Sequence, residues 1–444
     1  MHIYGTIPRL TYPFEMSIYD EQLFSEKTIG EFFDDLVAKQ PDWPFIMYPD
    51  RDLCWSYKDF YQRSDDLAKG LLAIGIRRGD HIGVWARNVP EWLTFMFATA
   101  KIGAVLVTIN TNYKIHEVEY VLKQSDMRML AIVDGQRDVS YVDIVNELVP
   151  ELKTCPRGYL KSENLPFLKY VVYIGQEKHR GMYTSSELFQ LGESVSDDVL
   201  LEAKKGISNH DVVNMQYTSG TPGFPKGVML THGNFCSDFT GLAHAIKPIN
   251  TAMSVLPMNH VYELSCVDMT AIYVNALLYI NDSLRHLERN LREFRPEAMA
   301  AVPALLDSLC NGIVMRAREE GKLKKLLRGV KISDFLMKFG IDIRRFLFAD
   351  VTERFGCNFP AIAVGGSPVN GEKTSFLASL GFDIYVGYGL TETSPIVTLN
   401  RDVRRMPNSV GKCLPCCEIR IASPDEDGVG EIEVRGKNVA KGYY

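Results

Sequence analysis

Short apolar runs alternate along this chain with segments of helical period. Strands are expected at 83–86, 104–109, 130–133, 170–174, 212–217, 277–280, 298–302, 361–364 and 384–386. Helices are expected between them, at 57–75, 91–102, 115–124, 234–246, 285–294, 303–328 and 371–380. Near 285, Leu284, Leu287, Leu291 and Phe294 recur at helical spacing and share one face. Strands that are apolar on both sides, with helices between them, argue for parallel sheets covered by helices. The number of such units predicts an α/β chain of two stacked α/β subdomains with mostly parallel sheets. The polar stretch 194–210 sets the expected division, into 1–208 and 209–398. After Asn400 short strands with turn signals take over, 417–421 and 431–435 around Pro424-Asp-Glu-Asp-Gly428. This predicts the start of a small β-barrel subdomain over 399–444.

Composition narrows the classes. The 444 residues suffice for two or three packing units. A hydrophobic content of 46% with 23% charged residues is that of an ordinary globular chain. The net charge of −6 exerts no global pull toward nucleic acid. Of nine cysteines only Cys413-Leu-Pro-Cys416-Cys417 cluster, and no second pair stands at metal-site spacing. Free thiols are therefore expected. The odd cysteine count and the lack of an apolar signal core in residues 1–21 favour the cytoplasm. The most apolar stretch, 271–280, is short of the roughly 18 residues of a membrane helix and reads as buried helix and strand.

Residues 217–234 concentrate chemistry in one expected loop. Thr218, Ser219 and Thr221 bring hydroxyls, Gly220, Gly223 and Gly227 bring backbone freedom, and Lys226 brings an ammonium. Such glycine N–H groups can point at an anion, and the lysine adds a point charge for phosphate oxygens. The loop is not a P-loop, because Lys226 follows Pro225 rather than glycine. The stretch Gly366 to Thr374 fails likewise, Glu372 separating Gly371 from Lys373. Gly387-Tyr388-Gly389-Leu390-Thr391-Glu392 follows an expected strand. Read alone, it serves equally as a glycine-rich turn around a core tyrosine or as an aromatic platform for a base, with oxygen ligands for magnesium. Gly365-Gly366-Ser367-Pro368 is likewise either a simple β–α turn or a place where a flat ligand meets the backbone. His260, alone in Leu256-Pro-Met-Asn-His-Val-Tyr-Glu263, is by itself more readily a structural histidine.

Together these segments resemble the adenylate-forming enzymes, which join a carboxylate to ATP as an acyl-adenylate and release pyrophosphate. The resemblance runs from about residue 27 through essentially the whole chain. It implies that Thr218, Ser219, Gly220, Thr221, Gly223 and Lys226 form the phosphate loop. It implies that Gly365, Gly366, Ser367, Gly387, Tyr388, Gly389 and Thr391 line the nucleotide site, with Tyr388 stacked on adenine. Thr218 and Glu392 would hold Mg2+. His260, with Lys226 and Glu392, would act on the carboxylate and phosphate oxygens. The family carries a second Thr or Ser where this chain has Pro222, which offers neither hydroxyl nor N–H.

His260-Val-Tyr-Glu263 is similar to a pattern of long-chain fatty acyl-CoA synthetases, as is the long insertion from about 313 to 356. The resemblance thus implies ATP, Mg2+ and coenzyme A as cofactor and substrates, and a fatty acid as the acid. The acyl tunnel would be walled by Val261, Tyr262, Leu264 and the 361–368 turn. The family's sequences continue past a segment like Gly430 to Tyr444 into a mobile C-terminal domain, whose absence here would impair catalysis. Between 316 and 345 ten cations face four acids, which reads as a solvated helix face or as a surface for anionic lipid. Peripheral membrane contact and a homodimer are further expectations, and no nucleic acid is. An aryl- or amino-acid-activating ligase and a non-catalytic nucleotide- or acyl-binding module are the rival readings. An amino acid substrate would want a carboxylate for its ammonium, and the acids in this region, Glu263 and Asp268, sit in no convincing partner motif.

Overall fold

The computed structural model describes residues 26–136, 138–218, 224–353 and 360–444. Two large sheets dominate them. The first runs, edge to edge, Gly442–Tyr443, Lys226–Thr231, Val212–Thr218, Val105–Thr108, His81–Trp85, Met129–Ile132, Tyr170–Tyr173 and Tyr183–Thr184. The second runs Lys412–Cys413, Ile396–Asn400, Asp383–Gly389, Ala361–Val364, Ala298–Ala301, Thr251–Ser254, Leu277–Ile280, Pro44–Tyr48 and Leu53–Ser56. Their interiors are parallel, and antiparallel pairs occur toward the edges. The expected α/β class with mostly parallel sheets is thus the one observed. Among the described residues no barrel closes: Cys417–Ala422 and Glu431–Gly436 form a separate two-stranded hairpin.

Sheet membership crosses the polar stretch 194–210 in both directions. Pro44–Tyr48 and Leu53–Ser56 belong to the second sheet, whereas Val212–Thr218 and Lys226–Thr231 belong to the first. An aromatic core carried by helices Ile29–Lys39, Tyr57–Ala73 and Pro90–Lys101 packs against these early strands. Phe45 stacks on Tyr57 at 4.7 Å and meets Phe60 edge-on at 4.9 Å. Phe33 of helix Ile29–Lys39 reaches Phe97 of helix Pro90–Lys101 at 4.8 Å. Burying each such ring contributes about 1.5–3 kcal/mol, which adds to the parallel pairing of Pro44–Tyr48 with Leu277–Ile280 in holding the early strands on the second sheet. The polar stretch itself is a surface helix, Asp197–Lys204, with Leu200 alone buried.

Other expectations shift locally. The helix foreseen at 303–328 is two helices, Pro303–Glu319 and Leu323–Met337, broken where Gly321 takes a φ of +69°. Leu287 and Leu291 are buried, but Leu284 sits in a preceding 3₁₀ turn and is exposed. The apolar stretch 271–280 contains the buried strand Leu277–Ile280, and among the described residues no helix is long and apolar enough to cross a membrane.

Helix His232–Ala245 begins under a capping box between Thr231 and Asn234. His232, fully enclosed, accepts the Ile29 N–H at Nδ1 over 3.3 Å. Burial lowers its pKa from 6.5 to about 4, so the folded imidazole is neutral. The unfolded chain binds the proton first. The stabilisation is therefore complete above about pH 6.5 and is lost as pH falls toward 4, by about 3 kcal/mol. Denaturant unfolding between pH 7 and 4 should show this slope for the native chain and a weaker one for His232→Gln. Equal slopes would remove His232 as its cause.

Candidate active site

The sheets place their chemistry at the carboxyl ends of parallel strands. Thr218 ends Val212–Thr218, His260 follows Thr251–Ser254, Gly365 and Gly366 follow Ala361–Val364, and Gly387 to Gly389 end Asp383–Gly389. Strand ends of this kind are where open α/β sheets leave a crevice. Here the crevice is a cleft of about 550 Å³. Thr218, Lys226, His260, Gly365, Gly366, Gly387, Tyr388, Gly389, Thr391 and Glu392 all line it. Ser367 does not; it is exposed beyond the Gly366 turn. Ser219, Gly220, Thr221 and Gly223, with Pro222, lie outside the described residues.

The expected 217–234 loop is mostly a hairpin. Lys226–Thr231 is a strand antiparallel to Val212–Thr218, with Thr218 paired directly to Lys226. Val228 and Leu230, two apart, are both buried, a strand period hidden among turn-forming residues. The hydroxyl of Thr218 and the ammonium of Lys226 are thereby fixed at one hairpin mouth. Lys226 Nζ stands 5.1 Å from the ring centroid of Tyr443. Tyr443 Oη donates to Glu392 Oε1 at 2.7 Å, so one phenol touches both expected charge-bearing residues. The strand Gly442–Tyr443 is added to the Lys226–Thr231 edge, which aims this ring.

The Tyr388 segment is built from tight backbone turns. Thr393 Oγ1 accepts the Leu390 N–H at 3.0 Å and lies 2.6 Å from the Pro395 carbonyl. Gly389 is required here, since a Cβ would come within 1.8 Å of that same carbonyl oxygen. Tyr388 is half-buried on the cleft wall. Beside Gly365, Tyr262 donates to the Ala363 carbonyl at 2.9 Å, which pins its ring across the strand ends.

His260 caps the short helix Val261–Glu263, its Nδ1 accepting the Tyr262 N–H at 3.3 Å. That bond assigns the neutral tautomer with Nε2–H as the remaining donor. The residue is exposed and lines the cleft, and the surrounding protein lowers its pKa by desolvation. Glu263 and Asp268, in contrast, are fully buried and outside the cleft. Glu263 Oε1 accepts the Val255 N–H at 2.7 Å, and burial raises the pKa of both acids. Neither can meet a substrate ammonium. Leu264 is likewise core rather than wall.

Several wall residues escaped the sequence. Asn110, Gln216 and Asn259 line the cleft, and Gln216 Nε2 and Asn259 Oδ1 are buried without a partner. Such orphaned groups suit a polar ligand. A polar residue inside an apolar strand, as Gln216 is, was the available signal; Tyr443 offered none. Thr218 and Glu392 supply hard oxygens on one wall, and among the described residues no cluster of three or more metal-binding side chains exists. This donor set fits a magnesium ion that is carried mainly by phosphates. Beyond Tyr262, Cys266 is shared between the cleft and a small cavity of about 50 Å³ lined by Ala252, Val267, Met299 and Ala363. Cys266 sits there because Leu264–Met269 widens into a π-helix.

Comparison with known proteins gives the same picture. The family model described as AMP-binding enzyme matches residues 33–444. YngI of Bacillus subtilis (strain 168), an acyl-CoA synthetase by assignment, is 36% identical over 94% of this chain and 72% of its own length. The mitochondrial medium-chain acyl-CoA ligase ACSF2 of Danio rerio is 27% identical over 99% of this chain and 68% of its own. The long-chain-fatty-acid-CoA ligase FadD1 of Archaeoglobus fulgidus shares the fold, with a TM-score of 0.69, 22% identity, and coverage of 94% of this chain and 76% of that one. The chain belongs to the AMP-binding enzyme family, the adenylate-forming enzymes.

Proposed function

We propose that this protein is a fatty acid–CoA ligase that activates a medium- or long-chain fatty acid with ATP and passes the acyl group to coenzyme A. One observation carries the reading. A single cleft gathers Thr218, Lys226, His260, Tyr388 and Glu392, and past Tyr262 and Cys266 it adjoins an apolar cavity. The fatty acid carboxylate attacks the α-phosphorus of ATP, the bond to the β-phosphate oxygen breaks, and pyrophosphate leaves. The thiol of CoA then attacks the acyl carbonyl and AMP departs.

The chain's part is positioning and charge stabilisation. Lys226 neutralises phosphate oxygens, and His260 donates from Nε2 to the oxygen that gains charge. Tyr388 offers its face to adenine. The Glu392 carboxylate and Thr218 hydroxyl would hold magnesium, which draws charge from the phosphates. The acyl chain leaves the carboxylate past Tyr262 and Cys266, where each buried CH₂ contributes about 0.8 kcal/mol. The burial of Glu263 and Asp268 weighs against an amino acid substrate. We assign the protein to the cytoplasm, with access to membranes.

ATP–pyrophosphate exchange with palmitate, octanoate, benzoate and amino acids tests the assignment. Exchange with the fatty acids is expected. Exchange with amino acids alone contradicts it.

A further inference from the structure

The helices Pro303–Glu319, Leu323–Met337 and Arg344–Leu347 carry a surface unlike the rest of the molecule. Phe335, Phe339 and Phe346 stand 58%, 67% and 85% exposed. The rings of Phe335 and Phe339 meet edge-on at 5.3 Å, so they form a patch rather than isolated side chains. On Leu323–Met337 the inward side is marked by buried Leu326 and Ser333. By the helical period, Lys324, Arg328, Lys331 and Phe335 fall on the opposite side.

Charge sharpens the picture. The chain as a whole carries −6, yet between 316 and 345 ten cations face four acids. Three of these four acids, Glu320, Asp334 and Asp342, are already engaged. Lys322 pairs with Glu320 and Asp350, Arg344 with Asp342, and Arg404 with Asp334. Among the described residues no ion pair engages Lys324, Lys325, Arg328, Lys331, Lys338 or Arg345. Exposed rings ringed by unpaired cations complement a layer of anionic headgroups over an apolar interior. The ammonium and guanidinium groups meet lipid phosphates, and the rings enter the boundary with the acyl chains.

We propose that this face docks the protein on an anionic lipid bilayer, with Phe335, Phe339 and Phe346 inserted and the flanking cations on the headgroups. The docking holds whatever acid the cleft activates, so its test and the exchange assay fail separately.

The test is flotation of the full chain with vesicles of phosphatidylcholine alone or of phosphatidylcholine with phosphatidylglycerol. Binding to the mixed vesicles alone is expected, and high salt should release it without any substitution. The triple variant Lys324→Glu, Lys331→Glu, Lys338→Glu should bind about tenfold more weakly or worse. Phe335→Ser with Phe346→Ser should weaken binding comparably, with an unchanged unfolding midpoint. Tryptophan emission of a Phe346→Trp variant should shift to the blue on the mixed vesicles. Absence of flotation, equal flotation with neutral vesicles, or insensitivity to both sets of variants would overturn the proposal. So would a dimer in sedimentation that Phe346→Ser dissociates, since a second copy would then cover the patch.

Discussion

Replacing His260 by alanine is expected to lower fatty-acid-dependent ATP–pyrophosphate exchange about a hundredfold to a thousandfold, with little change in the unfolding midpoint. The magnitude is that of removing one donor aimed at developing oxyanion charge. The cap decides which nitrogen is free for the cleft. Nδ1 of His260 is occupied by the Tyr262 N–H, so Nε2–H is the group left for the cleft. Because desolvation lowers the His260 pKa, the neutral donor form prevails at neutral pH. Acidification protonates Nδ1, breaks the cap and turns the ring. Exchange should therefore fall on the acid side, at a pH below the ordinary histidine value. His260→Gln, which retains an N–H donor, should recover part of the rate and lose that acid limb. A His260→Ala variant exchanging within about threefold of the native chain would remove the residue from the chemistry, since such a donor is worth far more.

Gly389→Ala is expected to cost about 3 kcal/mol or more of stability and to abolish binding of an adenylate mimic. The added methyl would sit 1.8 Å from the Pro395 carbonyl oxygen, which already accepts the Leu390 N–H at 3.0 Å. Backbone cannot yield as a flexible side chain does. The chain must open between Gly389 and Pro395, and Tyr388 and Glu392 move with it. Gly387→Ala is the control two residues earlier, where the new methyl comes nearest to Ile396 Cδ1, at 3.3 Å, and stands at an ordinary 3.7 Å from the Thr398 carbonyl oxygen. That variant should lose about 1 kcal/mol and still bind. Urea unfolding reads both, and equal losses for the two variants would contradict the argument.

Much of this was legible in the sequence because the parallel strands are apolar on both faces. Strands such as Leu277–Ile280 and Ala361–Val364 announce themselves as short apolar runs. The strand Lys226–Thr231 did not, because turn-forming Pro225 and Gly227 mask its period. The exchange of strands between the sheets was also hidden. It depends on tertiary packing, in which Phe45 meets Tyr57 and Phe60 of helix Tyr57–Ala73 and Phe60 in turn meets Phe97 of helix Pro90–Lys101, and local pattern does not encode such contacts. At the site, residues in dense motifs such as Tyr388 and Glu392 could be found one by one. Tyr443 could not, since its place beside Lys226 and Glu392 comes from a strand added at the sheet edge.

The proposed function requires that one cleft hold adenine, phosphate and acyl chain together. Calorimetric titration with a non-hydrolysable fatty acyl sulfamoyl-adenosine tests it most directly. Binding at one site is expected, weakened by about 1–3 kcal/mol in Tyr388→Ala through loss of base stacking, and weakened separately in a Cys266→Trp variant that adds bulk at the residue lining both the cleft and the apolar cavity. Absence of binding, or binding that neither substitution changes, would contradict it.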